Sequence, residues 1–114
     1  MKSSIVDIQI AVSRHFGISV LDMLAVGRSH RVVIPRQLAY WVAAKTTGQS
    51  VKQIGRKFDR DHATIFHGIK ATERRMGWDA DLSAIGAMFR DQFSPAPKLP
   101  VWRAEPVVTF GGMA

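Results

Sequence analysis

The segment Asp61-His62-Ala63-Thr64 places four short side chains at the start of a stretch with helical periodicity. A carboxylate or an imidazole in the first turn of a helix can hydrogen-bond a base edge, and an alanine or threonine methyl can pack on a thymine methyl. Several basic residues in the surrounding sequence can hold phosphates: Lys52, Lys57, Arg60, Lys70 and Arg74. This pattern is typical of a helix that enters a nucleic-acid groove.

The same residues are poor candidates for metal binding or catalysis. His62 and His67 stand five positions apart, which is about 140° around a helix, so they do not share a face. The carboxylates of Asp59 and Asp61 are better explained by turns and helix capping than by acid–base chemistry. The sequence has no cysteine, no GxxxxGK[ST] phosphate loop and no GxSxG elbow. We therefore expect no enzymatic activity, no metal site and no cofactor.

Positive charge is concentrated in the middle of the chain. The 114 residues include 16 Lys and Arg against 9 Asp and Glu, which gives a net charge of +7. Residues 28–76 hold eleven of the basic and three of the acidic side chains, so the two flanking regions are nearly neutral. A basic block within a globular segment indicates a polyanion-binding surface, although a solvated basic face would give the same composition.

The elements that must position these residues are predicted to be helices throughout one domain. Apolar residues make up 46% of the chain and recur at three- and four-residue spacing, which is typical of amphipathic helices in an all-α protein. Residues 26–34 show neither a helical nor a strand period, and we interpret them as a loop. The predicted helices begin at Ile5, after Ser19, Ser50 and Asp61, near Pro35, and at Asp79; Gly17, Gly48 and Gly77 end three of them, and the last helix spans 79–93.

The helices on either side of Asp59-Arg60 form the most informative pair. Ser50 and Asp61 are good N-caps, so a short helix and a second helix are separated by very few residues. Segment 50–75 is therefore predicted to be a helix-turn-helix. An ordinary helical hairpin within a bundle is the alternative.

Composition changes at Ser94. Four prolines occur within twelve residues and Gly111-Gly112 follow, so 94–114 is predicted to be a Pro-rich extended tail. The tail also contains apolar side chains, and together with helix 79–93 it is a candidate docking site for a protein partner. A strand packed back on the domain, or an unattached end, is the alternative.

Five short motifs occur in a familiar order. They are Ile8-Gln9 with Val12, Gly27-Arg28-Ser29, Pro35-Arg36-Gln37-Leu38-Ala39, Ile54-Gly55 with Phe58, and Arg60-Asp61-His62-Ala63-Thr64-Ile65 with His67. In order and spacing, segment 5–76 resembles the C-terminal DNA-binding domain of the bacterial replication initiator DnaA. The Arg-Asp-His-x-Thr signature is specific to that family, although Ala63 stands where the family usually has threonine.

The resemblance implies a Trp-repressor-like helix-turn-helix bundle that binds a short site in double-stranded DNA. Residues 1–76 would be the DNA-binding domain, 77–93 an additional helix and 94–114 the tail. The family's minor-groove arginine falls on Arg28, and the basic loop also contains Arg31, which can approach the same groove. The resemblance also implies that Asp61, His62 and Ala63 read bases in the major groove. The implied contacts to the DNA backbone are Arg36, Gln37, Lys45, Lys52 and Thr64.

Met1 stands so close to the first helix that no ATPase fits upstream, and we expect a stand-alone protein. The leading hypothesis is a sequence-specific regulator of transcription. The alternatives are an adaptor that binds DNA through 28–76 and a partner through 79–114, a competitor of DnaA at replication-origin sites, and a non-specific architectural protein. No apolar run approaches the roughly 18 residues that a membrane span requires. We expect a cytoplasmic, nucleoid-associated bacterial protein or a phage-encoded one.

Overall fold

The computed structural model describes residues 4–25 and 29–94, and their secondary structure is entirely helical. Six helices occur within these residues. They are α1 (Ile5–Phe16), α2 (Val20–Leu24), α3 (His30–Thr46), α4 (Val51–Phe58), α5 (His62–Met76) and α6 (Ala80–Phe93). The predicted all-α class is confirmed.

Each of these helices begins at a short polar N-cap. In every case the side chain accepts a hydrogen bond from a backbone N–H of the first turn, which would otherwise lack a partner. Local sequence therefore fixes where each helix starts, including the two helices of the predicted helix-turn-helix. The N-caps are Ser4, Ser19, Ser29, Ser50, Asp61 and Asp79.

Helix α3 forms the centre of the molecule and packs against the other five described helices. Its side chains Leu38, Tyr40 and Val42 are almost completely buried. Helix α5 lies close to α3 at Gly68, where an added Cβ would lie 2.6 Å from Cδ2 of Tyr40. The absence of a side chain at Gly68 thus allows α5 to lie directly on the central helix, with its opposite face outward.

The loop predicted over 26–34 is wrong for residues 30–34, which form the first turns of α3. Ser29 caps the helix, and Pro35 lies inside it at the sixth position, not in the first turn. Proline cannot donate to the carbonyl of Arg31, so one helical hydrogen bond is lost. Burial of Val32 and Pro35 against the core outweighs that loss. Residues 26–28 lie outside the described part.

Helix α6 belongs to the same core as the helix-turn-helix. Its residues Leu82, Phe89 and Phe93 are buried, and the helix packs on both α3 and α5. The predicted tail begins at Ser94, which caps α6 at its C-terminus, and its remainder, 95–114, lies outside the described residues. No helix among the described residues has the length and apolar character needed to cross a membrane.

Candidate nucleic-acid interface

Helices α4 and α5 form a tight pair separated by Asp59, Arg60 and Asp61. A reciprocal capping box fixes the start of α4. The N–H of Ser50 donates to Oε1 of Gln53 at 2.8 Å, and the N–H of Gln53 donates to Oγ of Ser50 at 3.2 Å. Two otherwise unpaired donors are satisfied in this way, so the short helix has a defined beginning.

The turn between the two helices depends on Gly55 and Asp59. Asp59 ends α4 in the left-handed conformation, with φ 55° and ψ 49°. The N–H of Arg60 then donates to the carbonyl oxygen of Gly55 at 2.9 Å. A Cβ at position 55 would lie 2.5 Å from the carbonyl oxygen of Arg60. The turn can therefore be this short only because residue 55 has no side chain.

Asp61 serves as the N-cap of α5. Its Oδ1 accepts a hydrogen bond of 2.8 Å from the N–H of Thr64. This backbone bond is the main cause that lowers the pKa of Asp61, with a side-chain hydrogen bond from Thr64 as the next cause. The carboxylate is thus held ionised at the tip of the helix-turn-helix. Its position is set by the helix that it caps.

The first turn of α5 faces outward. His62, Ala63 and Thr64 are all exposed, and the same face continues through Phe66 and Lys70. The Phe66 side chain is 49% exposed, and Nζ of Lys70 lies 5.5 Å from its ring centroid. Lys70 is one of the phosphate contacts predicted from the sequence, whereas Phe66 was not predicted. Its position, four residues after His62 and four before Lys70, could have identified it.

Gln37 and Lys45, which were predicted to contact the DNA backbone, lie toward the C-terminal end of α5. Their side chains contact side chains of that helix. Nη1 of Arg75 donates to Oε1 of Gln37 at 2.8 Å. Nζ of Lys45 lies 3.4 Å from Oε2 of Glu73. Position 73 is eleven residues beyond His62, or about 16 Å along the helix. The structure therefore separates Gln37 and Lys45 from the exposed first turn.

The remaining predicted contacts occupy several positions. Lys52 is exposed in the first turn of α4, and Arg31 is exposed in the first turn of α3, not in a loop. Arg36 and Arg60 both donate to backbone carbonyls at the end of α2. Arg28 lies outside the described residues. Apart from the corrected secondary structure at Arg31, these DNA contacts stay predictions.

Within residues 4–25 and 29–94, no three acidic, histidine or cysteine side chains are placed to hold a metal ion. An open groove occurs elsewhere, at the junction between α5 and α6. Trp78, at 75% exposure, forms part of its wall, and the other lining residues are mostly small or apolar. The full lining comprises Met76, Gly77, Trp78, Ala80, Ser83, Ala84 and Ala87.

The family model for the bacterial DnaA protein helix-turn-helix matches residues 5–71. The chain belongs to this family. The matched region starts at α1 and ends within α5, so it contains both helices of the α4–α5 pair and the exposed first turn of α5. The resemblance inferred from the five sequence motifs is confirmed, whereas α6 lies beyond the matched region.

Several relatives of this chain are chromosomal replication initiator proteins named DnaA. The chain is 39% identical over 83 residues to the chromosomal replication initiator protein DnaA of Cereibacter sphaeroides strain ATCC 17029, covering 72% of this chain and 18% of the relative. It is 40% identical over 78 residues to the DnaA protein of Caulobacter vibrioides strain NA1000, covering 68% and 16%. The chain thus spans less than a fifth of these relatives.

Solved structures give the same fold. A crystal structure of a DNA replication initiation factor superposes with a TM-score of 0.70 at 25% identity, covering 77% of this chain and 27% of that one. The replication initiator DnaA bound to AMPPCP and single-stranded DNA gives a TM-score of 0.65 at 23% identity, covering 78% and 28%. The predicted helix-turn-helix fold is confirmed by the first of these similarities.

Proposed function

We propose that this chain binds double-stranded DNA sequence-specifically, with α5 as the recognition helix. This proposal rests on the exposed first turn of α5, where an N-cap and a short turn fix Asp61, His62 and Ala63. A rigid helix N-terminus that presents side chains outward suits reading of major-groove base edges. The phenyl ring of Phe66 extends this surface and can pack on a thymine methyl.

Exposed basic residues around this turn would supply the phosphate contacts. Lys52 in α4 and Lys70 in α5 are both exposed, and the 28–76 region is strongly positive. Contacts to phosphates position a protein on the duplex but carry no sequence information. We therefore assign base reading to the first turn of α5, and affinity for any duplex mainly to the lysines and arginines.

Selection from a random duplex pool tests this proposal directly. The purified chain is expected to enrich one motif and to bind it more tightly than random duplex by a factor of about 10³ or more. The single strands of the selected site serve as a second control, since the similar DnaA structure contains single-stranded DNA. Equal affinity for selected and random duplex would contradict sequence-specific binding and favour an architectural role.

Two substitutions separate base reading from phosphate binding. His62→Ala should cost roughly 1–3 kcal/mol on the selected site and relax the base preference there, whereas Lys52→Ala should weaken all duplexes about equally. Arg90→Ala is the matched control, because Arg90 is an exposed basic residue on α6. Loss of discrimination in the Arg90 variant would argue against α5 as the reading element.

For the biological role, we propose that this DNA-binding chain regulates transcription. Competition with DnaA at replication-origin sites is the second candidate, since the family relatives are chromosomal initiators. Comparing the affinity of the chain for the selected motif with its affinity for DnaA-box DNA decides between the two roles. Displacement of DnaA from a shared box would favour competition, whereas a different motif upstream of a promoter would favour transcriptional control.

An adaptor role receives support from the groove beside α6. Trp78 is largely exposed there, and Met88 on α6 is also exposed, so a protein partner would find apolar contacts away from the recognition helix. Trp78→Ala should then abolish partner-dependent function without changing DNA affinity. A loss of DNA affinity in this variant would contradict a separate partner surface.

A further inference from the structure

Two arginine side chains converge on the C-terminal end of the short helix α2. Nε of Arg36 donates to the carbonyl oxygen of Met23 at 2.7 Å, and its Nη2 donates to that of Ala25 at 2.6 Å. Nη2 of Arg60 donates to the carbonyl oxygens of Leu24 at 3.1 Å and Ala25 at 2.8 Å. The last carbonyls of α2 therefore receive donors from outside the helix.

This arrangement matches the chemistry of a helix C-terminus. The last carbonyls of a helix have no partner within it, and they carry the negative end of the helix dipole. Arg36 is only 8% exposed, and burial lowers its pKa, with the neighbouring Arg60 charge acting in the same direction. Two cations in proximity are tolerated here because the carbonyl oxygens accept from both guanidinium groups.

The position of Arg60 makes this contact relevant to DNA recognition. Arg60 lies in the α4–α5 turn and directly precedes Asp61, the N-cap of the recognition helix. Its partners in α2 lie 35 and 36 residues away in the sequence. Three positions after Ala25 comes Arg28, the predicted minor-groove residue. One side chain thus joins the start of the recognition helix to the point where the chain leaves α2.

We propose that Arg36 and Arg60 form a clamp on residues 23–25, and that they are positioning residues, not phosphate contacts. The clamp fixes the end of α2 against the start of α5, so that the chain leading to Arg28 leaves α2 at a set distance from the recognition helix. This inference rests on the proposed function and replaces the phosphate contacts predicted for these two arginines.

Arg60→Lys is the decisive variant. Lysine binds a phosphate well as a point charge but lacks the planar fork of arginine, whereas Arg60 donates to the carbonyls of Asp59, Leu24 and Ala25 together. We expect Arg60→Lys to lower affinity for the selected site by about tenfold, with affinity for random duplex unchanged. Affinity close to wild type would show a phosphate contact and overturn the clamp.

Salt dependence gives an independent readout. The slope of log K against log salt is negative, and each lost phosphate contact should make it less steep by about 0.9. Lys52→Ala is the control and should show that reduction. On random duplex, Arg60→Ala should leave the slope unchanged, while the ratio of selected-site to random-duplex affinity falls. A smaller slope on random duplex in Arg60→Ala would overturn the proposal.

A double-mutant cycle tests the link to Arg28. Arg60→Lys and Arg28→Ala should be strongly non-additive on the selected site, because displacing the clamp already removes the contribution of Arg28. Arg60→Lys and Lys70→Ala should be additive, since Lys70 lies farther along α5 on its exposed face. Additive behaviour in both cycles would contradict the positioning role.

Hydrogen exchange on the DNA-free chain separates failure of the clamp from failure of the proposed function. The N–H of Ala25, bonded to the carbonyl of Leu21, should exchange faster in Arg60→Lys, while α6 amides should exchange as in wild type. Unchanged exchange at Ala25 would overturn the clamp even if DNA binding is specific. If Ala25 exchanges faster in Arg60→Lys but the wild-type chain shows no sequence-specific binding, the clamp is supported and the DNA-binding proposal is refuted.

Discussion

Helix α5 is held differently at its two ends. At its N-terminus, the turn from α4 consists of polar and backbone contacts, with Asp59 in a left-handed conformation and Asp61 as the N-cap. At its C-terminus, the link to α6 is also hydrogen-bonded, with Asp79 as the N-cap, but the helix contact beside it is apolar, and Gly86 of α6 faces the side chains of Met76, Trp41 and Leu38. The first junction mainly fixes a geometry, whereas the second also fills space.

The two ends of α5 therefore differ in how precisely they must be positioned. Hydrogen bonds at the N-terminal junction are directional and set the orientation of the first turn, where the proposed base contacts lie. Apolar packing at the C-terminal junction is non-directional and tolerates small shifts of flexible side chains. Changes at the first junction should therefore affect both stability and recognition, and changes at the second should leave recognition intact.

Gly55→Ala should show the largest effect, because it places a methyl group against backbone. The new Cβ would lie 2.5 Å from the carbonyl oxygen of Arg60, which cannot move without opening the turn. We expect a loss of about 1–3 kcal/mol in the free energy of unfolding and weaker binding to the selected site. Urea unfolding and titration with duplex measure the two quantities. A variant as stable as wild type would show that the turn is adaptable.

Asp61 tests the same junction through pH. Its folded-state pKa is below the ordinary aspartate value of 3.8, so the carboxylate stabilises the fold above that value, and the contribution is lost as pH falls through the folded pKa. Asp61→Ala should be less stable than wild type at neutral pH and show less acid sensitivity. Asp61→Asn is the matched control, because asparagine caps equally well without titrating. Thermal unfolding between pH 2 and about 7 measures the difference; identical profiles for all three chains would contradict a capping role.

The two junctions also differ in how much of them the sequence could predict. The caps at Ser50 and Asp61 lie within three residues of the groups they bind, so local sequence was enough to locate the helix-turn-helix. The first turns of α3 were mispredicted, because Pro35 argued for a later start and the burial of Val32 that outweighs it is a tertiary effect. The carbonyl partners of Arg60 lie in α2, beyond the reach of any local pattern.

Asp59→Gly should have a smaller effect, and a stabilising one. A non-glycine residue in the left-handed region costs roughly 1–2 kcal/mol, and glycine removes that cost. The added freedom of the unfolded chain offsets about 0.4–1 kcal/mol of the gain. We expect a net stabilisation of about 0.5 kcal/mol, seen as a higher urea midpoint. Destabilisation would show that the Asp59 side chain has a favourable role in the turn.

Gly86→Ala should have the smallest effect, although Gly86 is buried, as Gly55 is. The new Cβ would approach Cε of Met76, which is the far end of a flexible side chain, and would lie 3.3 Å from Cζ3 of Trp41. Alanine also favours a helix interior by up to about 1 kcal/mol over glycine, which offsets the cost of moving Met76. Urea unfolding should therefore show a change within about 0.5 kcal/mol of zero, with duplex affinity unchanged. A loss as large as that of Gly55→Ala would mean that both ends of α5 are equally rigid, and that the contrast between a directional and an adaptable junction is wrong.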